Sequence, residues 1–417
     1  MQQRLWKRRC LALCLAVILL LAACGAPRLG GSVSDGDTIV FGATLSITGK
    51  TAKEGEYARD GYVFFIDSIN ERGGIRVGGK TYKLKLKYYN DDSRPERAAE
   101  LFEKLINEDD VNFLLGPYGS APTAAIAPIA EKYKLPLVTG HGSAGSIYST
   151  RNAYTFNIQT PAKNYLHGII DLVLEKDPEI TNAAVLSEDD PFSKEVAEGA
   201  VAYAQMKGLD VVYKQIYPSN TQNVSALLAE VKRRNVDLLL GAGHLQDALL
   251  IVKQAKDLGV SPKAVGLSVG PSSPEFRATL GKDADYIFGA TQWTSALEYT
   301  GSDIWSTPAA FADAFRARYP NYTSVPYQTA ESTAALLVFQ QALEQAGTLD
   351  PQKVRDALAK LETTTFFGRI AFDERGVNSG KPMVVVQLQP DGNMYTVFPS
   401  NVAEQAPLYP MPPWDQR

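Results

Sequence analysis

Cysteine is almost absent from this chain of 417 residues, which contains three. Cys10, Cys14 and Cys24 all lie within the first 24 residues, so no thiol remains in the rest of the chain. Disulfide frameworks and cysteine-rich zinc sites both need several thiols in the folded part of a protein. The sequence therefore excludes both kinds of stabilisation for the folded body.

Histidine and surplus positive charge are also scarce. The three histidines, His141, His167 and His244, are far apart and show no H-E-x-x-H spacing, so no catalytic metal site is expected. Lys and Arg number 42 against 46 Asp and Glu, which leaves no basic excess to neutralise phosphates. We therefore expect no metal, no cofactor and no nucleic-acid partner.

The N-terminus has the pattern of an export signal. Four basic residues between positions 4 and 9 precede an apolar run from Cys10 to Ala23, which is too short to span a bilayer comfortably. The run ends in LAACG at positions 21–25, which resembles the lipobox of bacterial lipoproteins. That resemblance implies cleavage of a signal peptide, residues 1–23, and lipidation of Cys24.

Removal of this segment makes the chain more acidic. Four of the 42 basic residues are lost and no acidic residue is, so 38 basic residues face 46 acidic ones. Residues 24–37, rich in Gly, Ser, Pro and Asp, are expected to form a flexible tether. The predicted location is outside the bacterial cytoplasmic membrane, anchored by lipid at the cell envelope.

From residue 38 onward, short apolar runs alternate with helical patterns. This order predicts an α/β fold with parallel sheets covered on both faces, and the length predicts two doubly wound lobes. The predicted first series is strand 39–47, helix 55–71, edge strand 83–89, helix 95–107, strand 111–115, helix 124–134 and strand 135–139. The second is helix 163–175, strand 183–186, helix 193–206, strand 210–217, helix 224–234, strand 236–240, helix 245–257 and strand 264–267. Helices 308–318, 327–346 and 351–360 follow, and an antiparallel pair, 367–372 with 383–389, closes the fold.

Motifs of catalysis and nucleotide binding fail when their context is considered. Residues 140–145 match G-x-G-x-x-G, but no acidic residue follows between Gly145 and Asp171. Residues 49–51 resemble the end of a P-loop, but its first glycine is replaced by Thr44. Ser143 lacks the preceding glycine of a nucleophile elbow, because His141 stands there. The sequence thus predicts no catalytic residues and a protein that is not an enzyme.

Glycine-rich loops follow three of the predicted strands, at 116–122, 139–144 and 241–244. Small residues let backbone N–H groups approach a carboxylate, and the helix that begins after Ser120 points its positive end toward such a group. The alternative is that these glycines only form tight turns. Three such loops together favour a ligand site at the carboxyl ends of the strands.

In the order of its motifs, the chain from 38 to about 398 resembles the type I periplasmic solute-binding proteins of the branched-chain amino acid (Leu/Ile/Val-binding) ABC transport family. The matching stretches are 44–49, 67–75, 89–95, the loops at 116 and 139, and 367–373. The resemblance implies two α/β lobes joined by a three-stranded hinge, with a small ligand between them and an ABC permease as partner. The implied lobes comprise 38–157 with 290–364, and 158–289 with 365–398, followed by a C-terminal tail, 399–417.

The resemblance also implies ligand-binding residues. In the first lobe, contacts with the carboxylate and ammonium of an amino acid fall on Ser120, the backbone of His141 and the hydroxyl of Ser143, beside Tyr118 and Gly142. In the second lobe they fall on Phe192, Gly243 and His244.

The acidic partner of the ligand ammonium aligns with Ser268, which departs from the pattern. Glu54 and Glu188 are loop acids that replace it or, alternatively, are solvated surface carboxylates. Amino acids, amides or urea, and aromatic carboxylates all suit such a site.

Two alternative functions also remain open. One is a sensor on the same fold. The other is a hydrolase with His141 or His244 as the base near Ser143.

Overall fold

The computed structural model describes residues 38–149 and 152–417. The predicted signal peptide, Cys24 and the tether lie outside the described residues. Within the described part of the chain, no helix is both long and apolar enough to cross a membrane.

Six strands of the described residues form the first sheet. They are β1 (Thr38–Leu45), β2 (Ile75–Val77), β3 (Lys80–Asn90), β4 (Phe113–Leu115), β5 (Leu137–Thr139) and β6 (Thr155–Asn157). Their order is β2-β3-β1-β4-β5-β6, and all neighbours are parallel except β2 and β3. The predicted parallel sheet is therefore confirmed. The prediction that 83–89 is an edge strand is wrong, because the short antiparallel strand β2 lies outside β3.

Seven strands of the described part form the second sheet. They are β7 (Asn182–Glu188), β8 (Asp210–Tyr217), β9 (Leu238–Ala242), β10 (Ala264–Leu267), β11 (Phe288–Thr291), β14 (Val384–Leu388) and β15 (Met394–Phe398). Their order is β15-β14-β11-β10-β9-β7-β8, and the neighbours from β8 to β11 are parallel. Strand β14 is antiparallel to both of its neighbours, β11 and β15.

The expected alternation of helix and strand is confirmed. The helices are α1 (Ala52–Glu71), α2 (Pro95–Asn107), α3 (Ser120–Tyr133), α4 (His167–Lys176), α5 (Pro191–Met206), α6 (Ser225–Arg233), α7 (Leu245–Asp257), α8 (Pro274–Leu280), α9 (Pro308–Arg318), α10 (Tyr327–Ala346) and α11 (Pro351–Ala359). Five of them begin with proline, whose missing N–H costs no hydrogen bond at the first helical position.

The predicted antiparallel pair of 367–372 with 383–389 is wrong. Strand β13 (Gly368–Ala371) instead pairs with β12 (Glu362–Thr365) in a separate two-stranded sheet. Strand β14 pairs with β11 and β15. Both segments have strand-like sequences, but their partners are decided by the packing of the two large sheets.

Helix α10 covers the first sheet although it begins 170 residues after that sheet ends, at residue 327 against residue 157. Its Phe339 ring contacts Phe41 of β1 and Phe113 of β4, at centroid distances of 5.3 and 5.5 Å. It also packs against α1, where a Cβ on Gly61 would lie 2.3 Å from the carbonyl oxygen of Thr329. Glycine at 61 therefore permits the close approach of the two helices.

The chain passes between the two sheets after β6, after β11 and before β14, and these three passages contact one another. Thr160 donates to the carbonyl of Lys381 at 2.6 Å, and the Lys381 ammonium donates to the carbonyl of Gln292. Asn378 donates to the carbonyl of Ile158 at 2.9 Å. Burial lowers the pKa of Lys381 to about 7. The third passage lies C-terminal to β13. The division into two lobes, 38–157 with 290–364 and 158–289 with 365–398, stays a prediction.

Candidate functional site

Loops from the two sheets meet at the carboxyl ends of their parallel strands. Tyr118 and Ser120 follow β4, and His141 and Ser143 follow β5, while His244 follows β9 of the second sheet. All five are buried, between 1 and 8% exposed. The structure therefore brings together residues that the sequence placed in separate loops, and it does so where α/β sheets bind ligands.

Five rings form a continuous row from one sheet to the other, called here the aromatic row. Its members are His141, Tyr118, His244, Phe192 and Tyr165. Successive ring centroids are 5.5, 5.5, 5.2 and 5.0 Å apart. Such separations are typical of favourable contacts between aromatic rings. The row supplies an apolar wall with hydroxyl and imidazole groups along it, which suits a small organic ligand.

Within this row, Tyr118 and His244 also share a hydrogen bond. The Tyr118 hydroxyl lies 3.0 Å from Nδ1 of His244, and both side chains are buried. Tyr118 follows β4 of the first sheet, and His244 follows β9 of the second. The bond therefore joins the two halves of the site.

The loop that contains Ser143 uses some of its expected ligand-binding groups internally. The backbone N–H groups of His141 and Gly142 donate to the Thr139 hydroxyl at 3.0 and 3.1 Å. The Ser120 hydroxyl accepts from the N–H of Ala144 at 3.1 Å. The Ser143 hydroxyl is buried and has no hydrogen-bond partner among the described residues. Of these groups, the Ser143 hydroxyl makes no hydrogen bond within the described residues, and the Ser120 hydroxyl keeps its own O–H available to donate.

The His141 side chain contacts helix α10 through both of its ring nitrogens. Its Nδ1 lies 2.8 Å from Oε1 of Glu331, and its Nε2 lies 2.7 Å from the Ser332 hydroxyl. The other oxygen of Glu331 accepts from Gln159, at 2.9 Å, in the first passage between the sheets. The sequence did not predict a role for Glu331, because a glutamate within a regular helix carries no signal of burial.

Four carboxylates crowd the same region, and we call them the acidic cluster: Glu54, Glu188, Asp190 and Asp247. Glu54 accepts from the N–H of Leu245 at 3.2 Å, at the start of α7. Glu54 and Glu188 are 1 and 2% exposed, so the alternative that they are solvated surface carboxylates is wrong.

Two cations contact the acidic cluster. The Lys50 ammonium lies 2.5 Å from Oε1 of Glu188 and 3.0 Å from Oδ2 of Asp247, and it donates to the carbonyl of Ser219 at 2.9 Å. Nε2 of His244 lies 3.7 Å from Oδ1 of Asp190. The sequence indicated Lys50 only as part of an incomplete P-loop match. Its partners in the structure come from the end of β7, the first turn of α7 and the loop after β8.

The pKa values of these groups reflect burial and mutual charge. Burial alone would lower the pKa of His244, but Asp190, Glu188 and Glu54 raise it to about 9. Burial raises the pKa of Glu188 to about 7, against the opposing effect of His244. The pKa of Glu54 is also raised, chiefly by burial. His244 is therefore an imidazolium at neutral pH and is unsuited to act as a general base there.

The remaining predicted residues have structural partners. Ser268 accepts from the N–H of Gly243 at 3.0 Å and donates to its carbonyl at 2.9 Å, so its hydroxyl fixes the loop before His244. Phe192 lies in the first turn of α5, whose N-cap is Asp190. His167 stacks on Tyr203 at 3.9 Å, away from the site.

One group of side chains has the spacing of metal ligands. Atoms of Glu188, Asp190 and His244 all lie within 4.8 Å of one another. The sequence did not predict this group, because its residues come from two strand ends that are distant along the chain.

Comparison with known proteins identifies the family and the fold. The family model described as "Periplasmic binding protein" matches residues 38–393. The Leu/Ile/Val-binding protein homolog 8 of Brucella abortus is 26% identical over 381 residues, covering 88% of this chain and 91% of its own. The leucine-binding protein LivK of Thermotoga maritima has a TM-score of 0.74 at 21% identity, covering 85% of this chain and 97% of its own. A solute-binding protein of an R. palustris ABC transporter, in complex with benzoate, has a TM-score of 0.73 at 18% identity, covering 86% and 95%.

Proposed function

Because the chain belongs to the periplasmic binding protein family, we propose that it is the solute-binding lipoprotein of an ABC importer and captures an amino acid or related small carboxylate. The ligand binds between two lobes, built from 38–157 with 290–364 and from 158–289 with 365–398. An ABC permease then receives it. The lipid on Cys24 provides the membrane attachment, outside the cytoplasmic membrane.

One observation carries this proposal. The loops of both sheets meet in the aromatic row, and beside it the buried Ser143 hydroxyl has no partner among the described residues. A buried hydroxyl without a hydrogen-bond partner destabilises the protein. A ligand carboxylate that accepts a hydrogen bond from it would remove this cost. The relatives named for leucine and benzoate binding support a ligand that carries a carboxylate.

A thermal-shift screen tests the proposal. The chain from Gly25 onward, which retains every described residue, is heated with amino acids, benzoate, urea and acetamide in turn. A ligand at 100 times its Kd adds about 2.7 kcal/mol to the free energy of unfolding, a shift that is easily seen. We expect an amino acid or small carboxylate to give it, with calorimetry confirming one site. A shift given by urea or acetamide alone would contradict a carboxylate ligand. The absence of a shift with all of these compounds would contradict solute capture.

A further inference from the structure

The acidic cluster carries more negative charge than the protein itself neutralises. Its four carboxylates, Glu54, Glu188, Asp190 and Asp247, face the two cations Lys50 and His244. With all four carboxylates ionised the formal charge of the group is about -2, and with Glu54 protonated it is about -1. Glu188, whose pKa is raised to about 7, is partly protonated at neutral pH, and a bound cation would favour its ionised form. A buried group of this kind favours a further positive charge.

Two carboxylate oxygens of the cluster also lack donors among the described residues. Glu188 Oε2 and Asp190 Oδ2 have no hydrogen-bond partner among the described residues, and the Glu188 side chain is 3% exposed. The Tyr217 hydroxyl, likewise without a partner in the described part, belongs to a residue paired with Glu188 on the neighbouring strand. Burial raises the pKa of Tyr217, and Asp247 and Glu188 raise it further. Unpaired buried carboxylate oxygens are costly, and a group rich in N–H donors would satisfy them.

Lys50 shows that this place accepts an ammonium group. Lys50 follows β1 of the first sheet, and its ammonium contacts three oxygens from the half of the protein that contains the second sheet. They belong to Glu188, Asp247 and Ser219. Since these oxygens all belong to the second-sheet side, separation of the lobes would leave them without Lys50. A solute that enters the open cleft would then meet the carboxylates before Lys50 returns.

We propose that the captured solute carries an aliphatic ammonium or guanidinium group, as a basic amino acid does, and that the acidic cluster binds it. The cation binds beside Lys50, at the unpaired oxygens of Glu188 and Asp190. This inference rests on the proposed function and names the class of its ligand.

An organic cation fits these residues better than a metal ion. A metal would need a free lone pair on His244, but its Nδ1 is bonded to Tyr118 and its Nε2 faces the Asp190 carboxylate. The rings of Tyr118 and Phe192, both in contact with His244, provide faces that attract organic cations.

Calorimetry with charged and neutral solutes of similar shape tests the inference. L-arginine is compared with L-citrulline, and L-lysine with L-norleucine, with L-leucine, benzoate and ZnCl2 as further titrants. We expect a basic amino acid to bind about tenfold or more tightly than its neutral counterpart. Glu188→Gln and Asp190→Asn, the second of which keeps an N-cap oxygen, should abolish that preference. Asp189→Asn, at an exposed neighbour 56% accessible and paired with Lys194, should retain it.

Each other result overturns the inference in a different way. If the wild-type protein binds L-leucine or benzoate as tightly as the basic amino acids, or more tightly, solute capture stands but the proposal of a cationic ligand is wrong. Saturable Zn²⁺ binding that depends on Glu188 and His244, without binding of basic amino acids, assigns the cluster to a metal. No binding of any organic solute contradicts the proposed function itself, and this inference with it.

Discussion

The Tyr118 hydroxyl and Nδ1 of His244, 3.0 Å apart, join the two sheets through a buried hydrogen bond. Other contacts join the same two sides. The Gly145 N–H donates to Glu195 at 2.7 Å, and the Lys53 ammonium lies 3.0 Å from Glu275. The described conformation is therefore closed, with protein groups in contact across the site.

Tyr118→Phe should favour the open form. The substitution removes one hydrogen bond of about 0.5–1.5 kcal/mol and leaves Nδ1 of His244 unpaired in the closed form. Small-angle scattering of the protein without ligand should then give a larger radius of gyration than for wild type. Tyr395→Phe is the control, because its hydroxyl bonds to Asp391 within the same hairpin of the second sheet. Identical radii for Tyr118→Phe and wild type would show that the bond does not hold the lobes together.

Ser143→Ala should weaken ligand binding without unfolding the protein. The buried Ser143 hydroxyl would donate a hydrogen bond to the ligand carboxylate. Hydrogen bonds to charged groups contribute about 1.5–3 kcal/mol, or roughly ten- to hundredfold in affinity. Calorimetry with the ligand from the thermal-shift screen measures the change. Ser149→Ala is the matched control, since its exposed hydroxyl donates to the carbonyl of Ser146. Should Ser143→Ala bind as tightly as wild type, the carboxylate lies elsewhere.

Lys381→Met should remove part of the alkaline dependence of stability. The Lys381 pKa is about 7 when folded, against 10.5 as its ordinary value. Between these values the unfolded chain binds one more proton than the folded protein, so the free energy of unfolding rises with pH by up to about 1.4 kcal/mol per unit. Urea unfolding at about pH 7.5 and about pH 9 measures this slope.

Comparison with a second variant isolates the Lys381 contribution. Lys360→Met, at the exposed lysine that directly follows α11, should keep the wild-type slope, while Lys381→Met should have a shallower one. Equal slopes for the two variants would mean that the Lys381 ammonium stays charged in the folded protein.

Cys24→Ala should release the protein from the membrane. Without the thiol no lipid can be attached, and the lipobox resemblance makes Cys24 the attachment residue. Membrane fractionation of a bacterial host and the mass of the N-terminal peptide report the result. Cys14→Ala is the control, because it changes a cysteine in the same apolar run and leaves LAACG intact. If both wild type and Cys24→Ala stay unprocessed and membrane-bound, Cys24 is not the anchor.

Much of the fold could be predicted because its signals are local. Strand β8 and helices α7, α9 and α10 have the predicted bounds, since their apolar periodicity and end residues lie in one continuous segment. Strand β2 was missed because three residues are too few to show a period.

The candidate site was predictable only in part. Tyr118, Ser143 and His244 directly follow strands, so their position in the sequence indicates their position in the sheet. Glu331 and Asp247 lie in ordinary helical sequences, and their burial depends on which helix packs against which loop. Charge balance around Lys50 depends in turn on how the two sheets face each other, which no single segment encodes.

The late position of helix α10 in the chain has a consequence for the order of folding. Strands β1 to β6 are complete by Asn157, but the face covered by Phe339 stays without its helix until residues 327–346 have emerged. Packing helix α10 on the first sheet requires closure of a long loop, which slows folding more than it reduces stability. A nascent or exported chain shorter than about 346 residues thus exposes Phe41 and Phe113, which makes it a ready target for chaperones and proteases.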